Sequence, residues 1–448
     1  MTVAEELAGL ALGQRFEGLR VEACESAMLC IADALGAGAV TATRASGDRV
    51  RARLQAVAAD GAGAVIGDVR RVAARDAAWA NGVLMHGEDF DDSPHTSYYL
   101  PALLAGTDHP LPGTELMAGW VAAYQVWMLL VHSARMTRPV NPTSVVAPIA
   151  AAAGVARLRR LDLRTTARAL TIAASASAGL RGQFGTDMKG MDAGRSAAAG
   201  IEAVDLAVAG WTADDVIFER RNGWAAAFGD DWSFDEARAV MTGDPVRFPL
   251  RGKLPDLKPW PACLRHVLPL HALLAARSAM PAGTRIAGIR VEVGFDPAET
   301  AAFRDAPRTP LEAKFSMPYV MTAAALDGDI VPETFDDDAF ARITCDPLYR
   351  NVEVVTVAAR GRASAAARLI LGDGTVIERE QGPATRMTRA DVLAKLRAGA
   401  GRLLPADEAD RVTAMAAALE SASDVDDILI RLAVPPARPN ASAAKGDH

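Results

Sequence analysis

Cysteine, aromatic residues and positive charge are all in short supply in this chain of 448 residues. Four cysteines are too few for a disulfide framework, and they lack the paired spacing of a zinc site. A formal net charge of −7 with no basic block argues against a nucleic-acid partner. No uninterrupted apolar run approaches the ~18 residues of a membrane span, and the first residues are acidic where a signal peptide is basic. We therefore expect a soluble, cytoplasmic protein without membrane contacts.

Alanine and other apolar residues, in contrast, are plentiful. Half of the residues (50%) are hydrophobic, which is enough for a sizeable core. Alanine is the best helix former, and apolar residues recur every three or four positions in several long stretches. These stretches predict helices over residues 21–42, 115–136, 163–179 and 193–210. Together they predict a bundle of alanine-rich helices around one large core.

The pattern changes after Pro281. Apolar and polar residues then alternate, as they do in half-buried strands, over residues 284–295, 351–360 and 365–380. Asp373-Gly374 has the sequence of a two-residue hairpin turn. Residues 312–326 have helical spacing between the first two strands. This part of the chain predicts a smaller α+β unit with an antiparallel sheet.

These segments predict a mainly α protein with an α+β second domain. The boundaries are a helical domain over 1–264, the α+β domain over 265–385 and a helical return segment over 386–434. The return segment opens with a capping-box-like pattern at Thr388. The remaining tail, 435–448, is rich in Pro, Ala and Ser and is predicted to be disordered.

The densest polar cluster of the sequence is the run of residues 88–95, here called the acidic turn, which opens with Glu88 and Asp89 and closes with His95. Carboxylates this close repel one another unless a cation, a helix N-terminus or a raised pKa relieves them. The cluster indicates a general base or a cation site, and a solvated acidic turn is the alternative. A magnesium-dependent synthase with an aspartate motif is disfavoured, because Pro94 interrupts the helix and no second metal motif follows.

Two further motifs offer cations. Residues 182–195 form a glycine-rich stretch in which Lys189 and Arg195 could bind a carboxylate, although the Walker pattern of phosphate loops is absent. Residues 258–266 begin with Lys258 and contain two prolines that immobilise the backbone. An ordinary interhelical loop and a rigid domain crossover are the respective alternatives.

In this order the three motifs resemble the MmgE/PrpD family. The segments that carry the resemblance are AVIGDVRRVAARDAAWANGVLMHGEDFDD, GLRGQFGTDMKGMDAGRSAAAG, LKPWPACLRH and EAKFSMPYVMTAAALDG. The family catalyses 2-methylcitrate dehydration, cis-aconitate decarboxylation and iminodisuccinate epimerisation. The resemblance implies a large all-helical domain built from both chain ends, with a smaller α+β lid inserted. It also implies a homodimer whose site lies between the domains and uses no cofactor and no metal.

The resemblance further implies which residues act. The implied catalytic residues are Asp89, His95, Lys189, Lys258 and Tyr319, and the implied substrate-binding residues are Ser93, Asn141, Thr186, Arg195 and His266. Asn141 and Asp192 stand where the family often has histidines. Neither side chain shuttles protons near pH 7 as an imidazole does. The two departures argue against the standard methylcitrate and aconitate substrates.

The sequence thus predicts a cofactor-independent lyase that acts on a small di- or tricarboxylate. Removing a proton next to a carboxylate adds negative charge to an anion, and Lys189 and Lys258 are expected to stabilise that charge. Asp89 or His95 would move the proton. A dehydratase-type reaction ranks first. The alternatives are an epimerase or racemase of an iminodisuccinate-like compound, a cis-aconitate-type decarboxylase, and a carboxylate-binding family member without activity.

Overall fold

Helices make up most of the protein in a computed structural model, which describes residues 1–93, 95–136, 138–229, 231–235, 256–296, 306–383 and 386–436. Most of the predicted tail, from residue 437 onward, lies outside these described residues. The fold is mainly α with an α+β portion, as the sequence predicts.

The described residues form seventeen α-helices. They are α1 (Val3–Leu12), α2 (Val21–Ala42), α3 (Ala45–Val57), α4 (Ala74–His86), α5 (Leu100–Ala105), α6 (Gly113–Ser133), α7 (Pro142–Leu158), α8 (Leu163–Ala174), α9 (Asp187–Val208), α10 (Trp224–Phe228), α11 (Val267–Ser278), α12 (Pro310–Ala313), α13 (Met317–Asp327), α14 (Asp337–Cys345), α15 (Arg389–Ala400), α16 (Ala406–Ala417) and α17 (Asp426–Leu432). The strands are β1 (Asp60–Val65), β2 (Asp68–Val72), β3 (Ala134–Arg135), β4 (Asp231–Trp232), β5 (Ile286–Val293), β6 (Val352–Thr356), β7 (Ala365–Leu371) and β8 (Val376–Gln381).

Small residues bring the helices of the larger core close together. Gly82 of α4 faces Gly194 of α9, and a Cβ atom at position 82 would lie only 2.7 Å from the Gly194 Cα. This approach brings the C-terminal end of α4 beside the N-terminal turn of α9. His86 ends α4 and Lys189 lies in the first turn of α9, so the contact places these two side chains together.

The helical return segment completes the same core. Buried residues of this core come from α1 through Trp224 of α10, and again from Val392 to Leu432. Helix α15 packs on α2 so tightly that a Cβ atom at Gly399 would lie 2.4 Å from the Gly36 carbonyl oxygen. Both ends of the chain therefore build one helical body.

Two helices are long and apolar enough to cross a membrane by length and composition alone, over Val21–Ala42 and Gly113–Val131. In their most apolar windows, 89% and 78% of the residues are buried inside the protein. They are packed as core helices of a globular protein.

The predicted helices are present, with shifts at their ends. The helix predicted over 21–42 has those bounds, whereas the one predicted over 193–210 already begins at Asp187, where the Thr186 side chain caps it. The helical part is not entirely helical, because β1 and β2 form an antiparallel hairpin. The sequence does not predict this hairpin, because strand β1 consists largely of Gly and Ala, which have little preference for strands.

The α+β portion contains a four-stranded sheet in the order β6-β5-β7-β8. The expectation of an antiparallel sheet is correct for β5/β7 and β7/β8 but wrong for β5/β6, which are parallel. Parallel neighbours need a crossover connection, and the helices α12 to α14 supply it. The hairpin turn is also one residue longer than predicted, because Leu371 pairs with Thr375 and leaves three residues between them.

We expect Gly399→Val to lower the free energy of unfolding by about 1–3 kcal/mol, because the new side chain must push α15 away from the backbone of α2. Urea denaturation measures the loss. Gly18→Val is the control, since a Cβ atom at Gly18 meets nothing within 4 Å. Equal stability of the two variants would contradict the close contact.

Candidate active site

The acidic turn connects α4 to a short 3₁₀ turn at Thr96–Tyr98. Two of its residues have left-handed backbone angles, with φ of 53° at Asp89 and 62° at His95. Such angles are costly for residues other than glycine and cluster at functional sites. The Ser93 N–H group donates to the Asp256 carbonyl oxygen at 2.8 Å, and the Asp256 N–H group donates to the Ser93 carbonyl oxygen at 3.0 Å. These two hydrogen bonds connect the turn to the segment that carries Lys258.

Three predicted catalytic residues meet in one buried ion cluster, here called the ion triad. The Asp89 Oδ1 atom lies 2.8 Å from Lys189 Nζ and 3.1 Å from Lys258 Nζ. Lys258 also donates to the Asp89 carbonyl oxygen at 2.6 Å. Burial opposes ionisation of Asp89, but the two ammonium groups outweigh it and hold the pKa of Asp89 well below its usual value. Asp89 is therefore a stable counter-ion and a weak base.

A second cluster shares the Asp91 carboxylate between two imidazoles. His86 Nδ1 lies 2.8 Å and His95 Nδ1 3.3 Å from Asp91 Oδ2, and Ser97 donates to the same oxygen at 2.5 Å. Asp91 is fully buried; burial opposes its ionisation, but its contacts with the two histidines hold its pKa well below the usual value.

His95 is the better placed of the two imidazoles for work on a substrate. Its side chain is 22% exposed, whereas that of His86 is 1% exposed. Burial lowers the pKa of His95, so the ring is neutral near pH 7. Because Nδ1 is held by Asp91, Nε2 is the ring atom that can accept a proton. This is the arrangement of a general base oriented by a carboxylate.

Two buried lysines from other parts of the chain support the acidic turn. Lys395 of α15 lies 2.6 Å from Asp33 Oδ1 and donates to the carbonyl oxygens of Phe90 and Lys258 at 2.5 and 3.1 Å. Lys314 of the α+β portion lies 3.0 Å from Glu88 Oε2. Both lysines link segments that are remote in sequence, so they fix the turn relative to both portions of the protein.

The two positions that depart from the family pattern belong to one hydrogen-bonded network. Asn141 donates to Tyr98 Oη at 3.2 Å and to Ser144 Oγ at 2.6 Å, and Ser144 donates to Asp192 Oδ2 at 3.2 Å. Arg195 donates to the other Asp192 oxygen at 2.9 Å. The Tyr98 ring packs edge-on against His86, with ring centroids 4.8 Å apart. Asn141 and Arg195 therefore lie in a network next to the histidines.

Two further predicted residues, Thr186 and Tyr319, are not part of the ion triad. Thr186 caps α9 and lines a cleft of about 670 Å³ between the helical and α+β portions. Tyr319 is buried in the core of the α+β portion and donates to the Thr334 carbonyl oxygen at 2.6 Å. The Tyr319 hydroxyl therefore does not bind to the ion triad. The Tyr319 ring packs against Phe335, whose ring lies under the ammonium group of Lys314.

The ligand atoms of His86, Asp91 and His95 lie within 4.8 Å of one another, close enough to share a metal ion. Histidine and carboxylate ligands at such spacing suit several metals. However, Lys189 Nζ lies 2.5 Å from His86 Nε2, and Lys258 Nζ lies 3.9 Å from Asp91. Two ammonium groups would repel a further cation, so the set fits a hydrogen-bonded cluster better than a metal site.

Sequence reasoning missed several residues of the site, above all His86, Lys314 and Lys395. His86 lies two residues before the acidic turn, and that position was its one available signal. Lys314 lies in the segment EAKFSMPYVMTAAALDG, which carries the resemblance, but no role was assigned to it, and Lys395 stands in a helical segment without a motif. For Lys395 the signal was its partner, because Asp33 is a lone acid inside the apolar stretch of α2.

His266 supplies a test of burial by pH. Burial lowers its pKa from 6.5 to about 4, so between these values the unfolded chain binds a proton that the folded protein does not. The free energy of unfolding therefore falls with decreasing pH, by about 1.4 kcal/mol per unit for this group. We expect the free energy of unfolding of His266→Gln to depend less steeply on pH between about pH 6 and 4.5, by about 1.4 kcal/mol per pH unit, which corresponds to one proton. Urea denaturation at several pH values measures the slope. His109→Gln, at an exposed histidine, should leave the slope unchanged, and equal slopes for both variants would contradict the prediction.

Comparison with known proteins shows the family of this chain. Residues 5–237 match the MmgE/PrpD N-terminal domain, and residues 260–421 match the MmgE/PrpD C-terminal domain. The cis-aconitate decarboxylase of Mus musculus is 25% identical over 305 residues, and that of Homo sapiens is 26% identical over 306 residues. Each alignment covers 62% of this chain and 60% of the relative, so the chain spans about three fifths of their length. With both domain models matched in order, the chain belongs to the MmgE/PrpD family.

Proposed function

We propose that this protein is a cofactor-independent lyase that removes a proton from the carbon next to a carboxylate in a small di- or tricarboxylate. The observation that carries the proposal is the juxtaposition of a carboxylate-held imidazole, His95, with two buried lysines. The family includes lyases, and its relatives named above are decarboxylases, which supports the reaction class. A cytoplasmic location and a homodimer belong to the same proposal.

His95 is proposed as the base. The choice between Asp89 and His95 rests on charge, because Asp89 is neutralised by two lysines while His95 is neutral, partly exposed and held through Nδ1. When Nε2 takes the proton, the Asp91 carboxylate stabilises the imidazolium that forms. Such a base contributes a factor of about 10²–10⁴ to the rate.

Lys189 and Lys258 are proposed to bind the anion and stabilise the charge that develops. Both ammonium groups are buried, where their effect on a nearby negative charge is much larger than in water. An incoming carboxylate would compete with Asp89 for their protons. The interdomain cleft is the proposed route of entry, since its lining residues Glu88 and Thr186 directly precede Asp89 and the first turn of α9.

Dehydration is the overall reaction we favour. The electrons of the broken C–H bond form the new C=C bond, the C–O bond on the neighbouring carbon breaks, and the leaving hydroxide takes a proton from a lysine ammonium group. Decarboxylation is the second candidate, and the printed activity of the two relatives favours it. In that case the C–C bond to carbon dioxide breaks, its electron pair stays on the remaining carbon, and an acid of the protein protonates that carbon.

Deuterium exchange tests the proton-removal step, and the same spectra show any product that forms. We expect the purified protein to exchange the proton next to a carboxylate in at least one of citrate, methylcitrate, cis-aconitate and iminodisuccinate in D₂O, as followed by NMR. Exchange reports proton removal whatever the final product. Binding of these compounds with neither exchange nor a new product would overturn the lyase proposal and favour a carboxylate-binding protein without activity.

Substitution distinguishes the two candidate bases. We expect His95→Gln to slow exchange by about 10²–10⁴-fold, while the affinity for tricarballylate, an unreactive tricarboxylate, stays close to that of the wild type. His109→Gln, at an exposed histidine, is the matched control and should exchange at the wild-type rate. If Asp89→Asn stops exchange and His95→Gln does not, Asp89 is the base and the assignment is wrong.

A further inference from the structure

His86 is a buried imidazole whose two nitrogens face opposite charges. Its Nδ1 atom lies 2.9 and 2.8 Å from the two oxygens of Asp91, and its Nε2 atom lies 2.5 Å from Lys189 Nζ. The side chain is 1% exposed. The reaction proposed above does not use this ring.

The two partners fix the form of the ring. A carboxylate only accepts hydrogen bonds and an ammonium group only donates them, so the ring must donate from Nδ1 and accept at Nε2. His86 is therefore a neutral imidazole in one tautomer. Burial, which lowers its pKa to about 3, is consistent with that state.

The ring also separates Lys189 from Asp91. Lys189 has three N–H groups, of which one points to His86 and one to Asp89 at 2.8 Å. Without the imidazole the ammonium group could turn towards the Asp91 carboxylate and pair with it. The neutral His86 ring thus keeps the Lys189 ammonium group oriented. The third N–H group of Lys189 can then donate to an incoming anion.

The other charged groups around the ring do not provide such a link. Lys258 lies 3.9 Å from Asp91 and pairs with Asp89, while His95 meets His86 edge-on with ring centroids 4.9 Å apart. Tyr98 covers another face of the ring, and Ser97 Oγ lies 3.3 Å from its Nδ1 atom. Among the described residues, His86 alone contacts both Lys189 and Asp91, the carboxylate that holds the proposed base.

We propose that His86 is a positioning residue that couples the two halves of the site. One ring holds the Lys189 ammonium group ready for a substrate carboxylate and, through Asp91, holds His95 ready for a proton. Anion binding at Lys189 and proton transfer at His95 are thereby linked. This inference rests on the function proposed above.

Three substitutions separate the two contacts. Asn at position 86 can place an amide N–H near the position of Nδ1 and keep the Asp91 contact, whereas Gln can place its carbonyl oxygen near the position of Nε2 and keep the Lys189 contact. Phe fills the space and loses both. His271→Phe is the control, since it makes the same exchange at a half-buried histidine that packs on Trp260 outside the cluster.

Calorimetric titration with tricarballylate and with succinate gives the first result. We expect His86→Phe and His86→Asn to bind the anion about ten-fold more weakly than wild type or worse, and His86→Gln and His271→Phe to bind with a smaller loss. Wild-type affinity in His86→Phe overturns the inference. Failure of the wild type to bind either anion overturns the proposed function instead.

Histidine spectra give a result that a purely structural role would not produce. In ¹⁵N-histidine-labelled wild-type protein we expect His86 as the tautomer protonated at Nδ1, and we expect the His95 pKa to change in His86→Gln and His86→Phe but to stay near the wild-type value in His86→Asn. An imidazolium at position 86 near pH 7, or an unchanged His95 in all three variants, overturns the proposal.

Discussion

Buried charge must be neutralised where it lies, and that requirement organises this protein. Asp89 lies in the interior, where an unpaired carboxylate would cost several kcal/mol. Its two partners are 100 and 169 residues further along the chain. The acidic turn can reach its folded form only when α9 and the segment around Lys258 are both in place. Charge pairing thus makes the site a product of the whole fold, since no single segment contains it.

The same rule extends outward from the ion triad. Asp91 lies 3.9 Å from Lys258 Nζ and is hydrogen-bonded to two imidazoles, Glu88 lies beside Lys314, and Asp33 lies beside Lys395. Each pair joins different elements, and the tight contacts of α4 with α9 and of α2 with α15 hold those elements together. These partners tie the carboxylates around the site to several elements of the fold. Of the two imidazoles, His95 keeps an exposed face, which suits the role of base proposed for it.

The sequence was sufficient for the helices with clear periodicity, because 3.6-residue spacing is a local property, and α2 has its predicted bounds. Alternation predicts a strand but not the direction of its neighbour, so the parallel β5/β6 pair could not be foreseen. The resemblance placed Asp89, Lys189 and Lys258 in one site, which the distances agree with. It also placed Tyr319 there, although the hydroxyl lies in the core of the α+β portion. His86 and Lys395 were not predicted, because their partners Lys189 and Asp33 lie 103 and 362 residues away in the sequence and only the tertiary structure brings them together.

Lys395 has a consequence for the order in which the protein is made. Its partners Asp33, Phe90 and Lys258 precede it by 362, 305 and 137 residues. During translation the N-terminal helices leave the ribosome long before α15 exists. Until then the Asp33 carboxylate lacks its Lys395 partner, and burying it without that partner would carry a dehydration cost. Helix α15 therefore completes the helical core late in synthesis. A nascent chain that stops before α15 would lack the Lys395 contacts and the core residues of that helix.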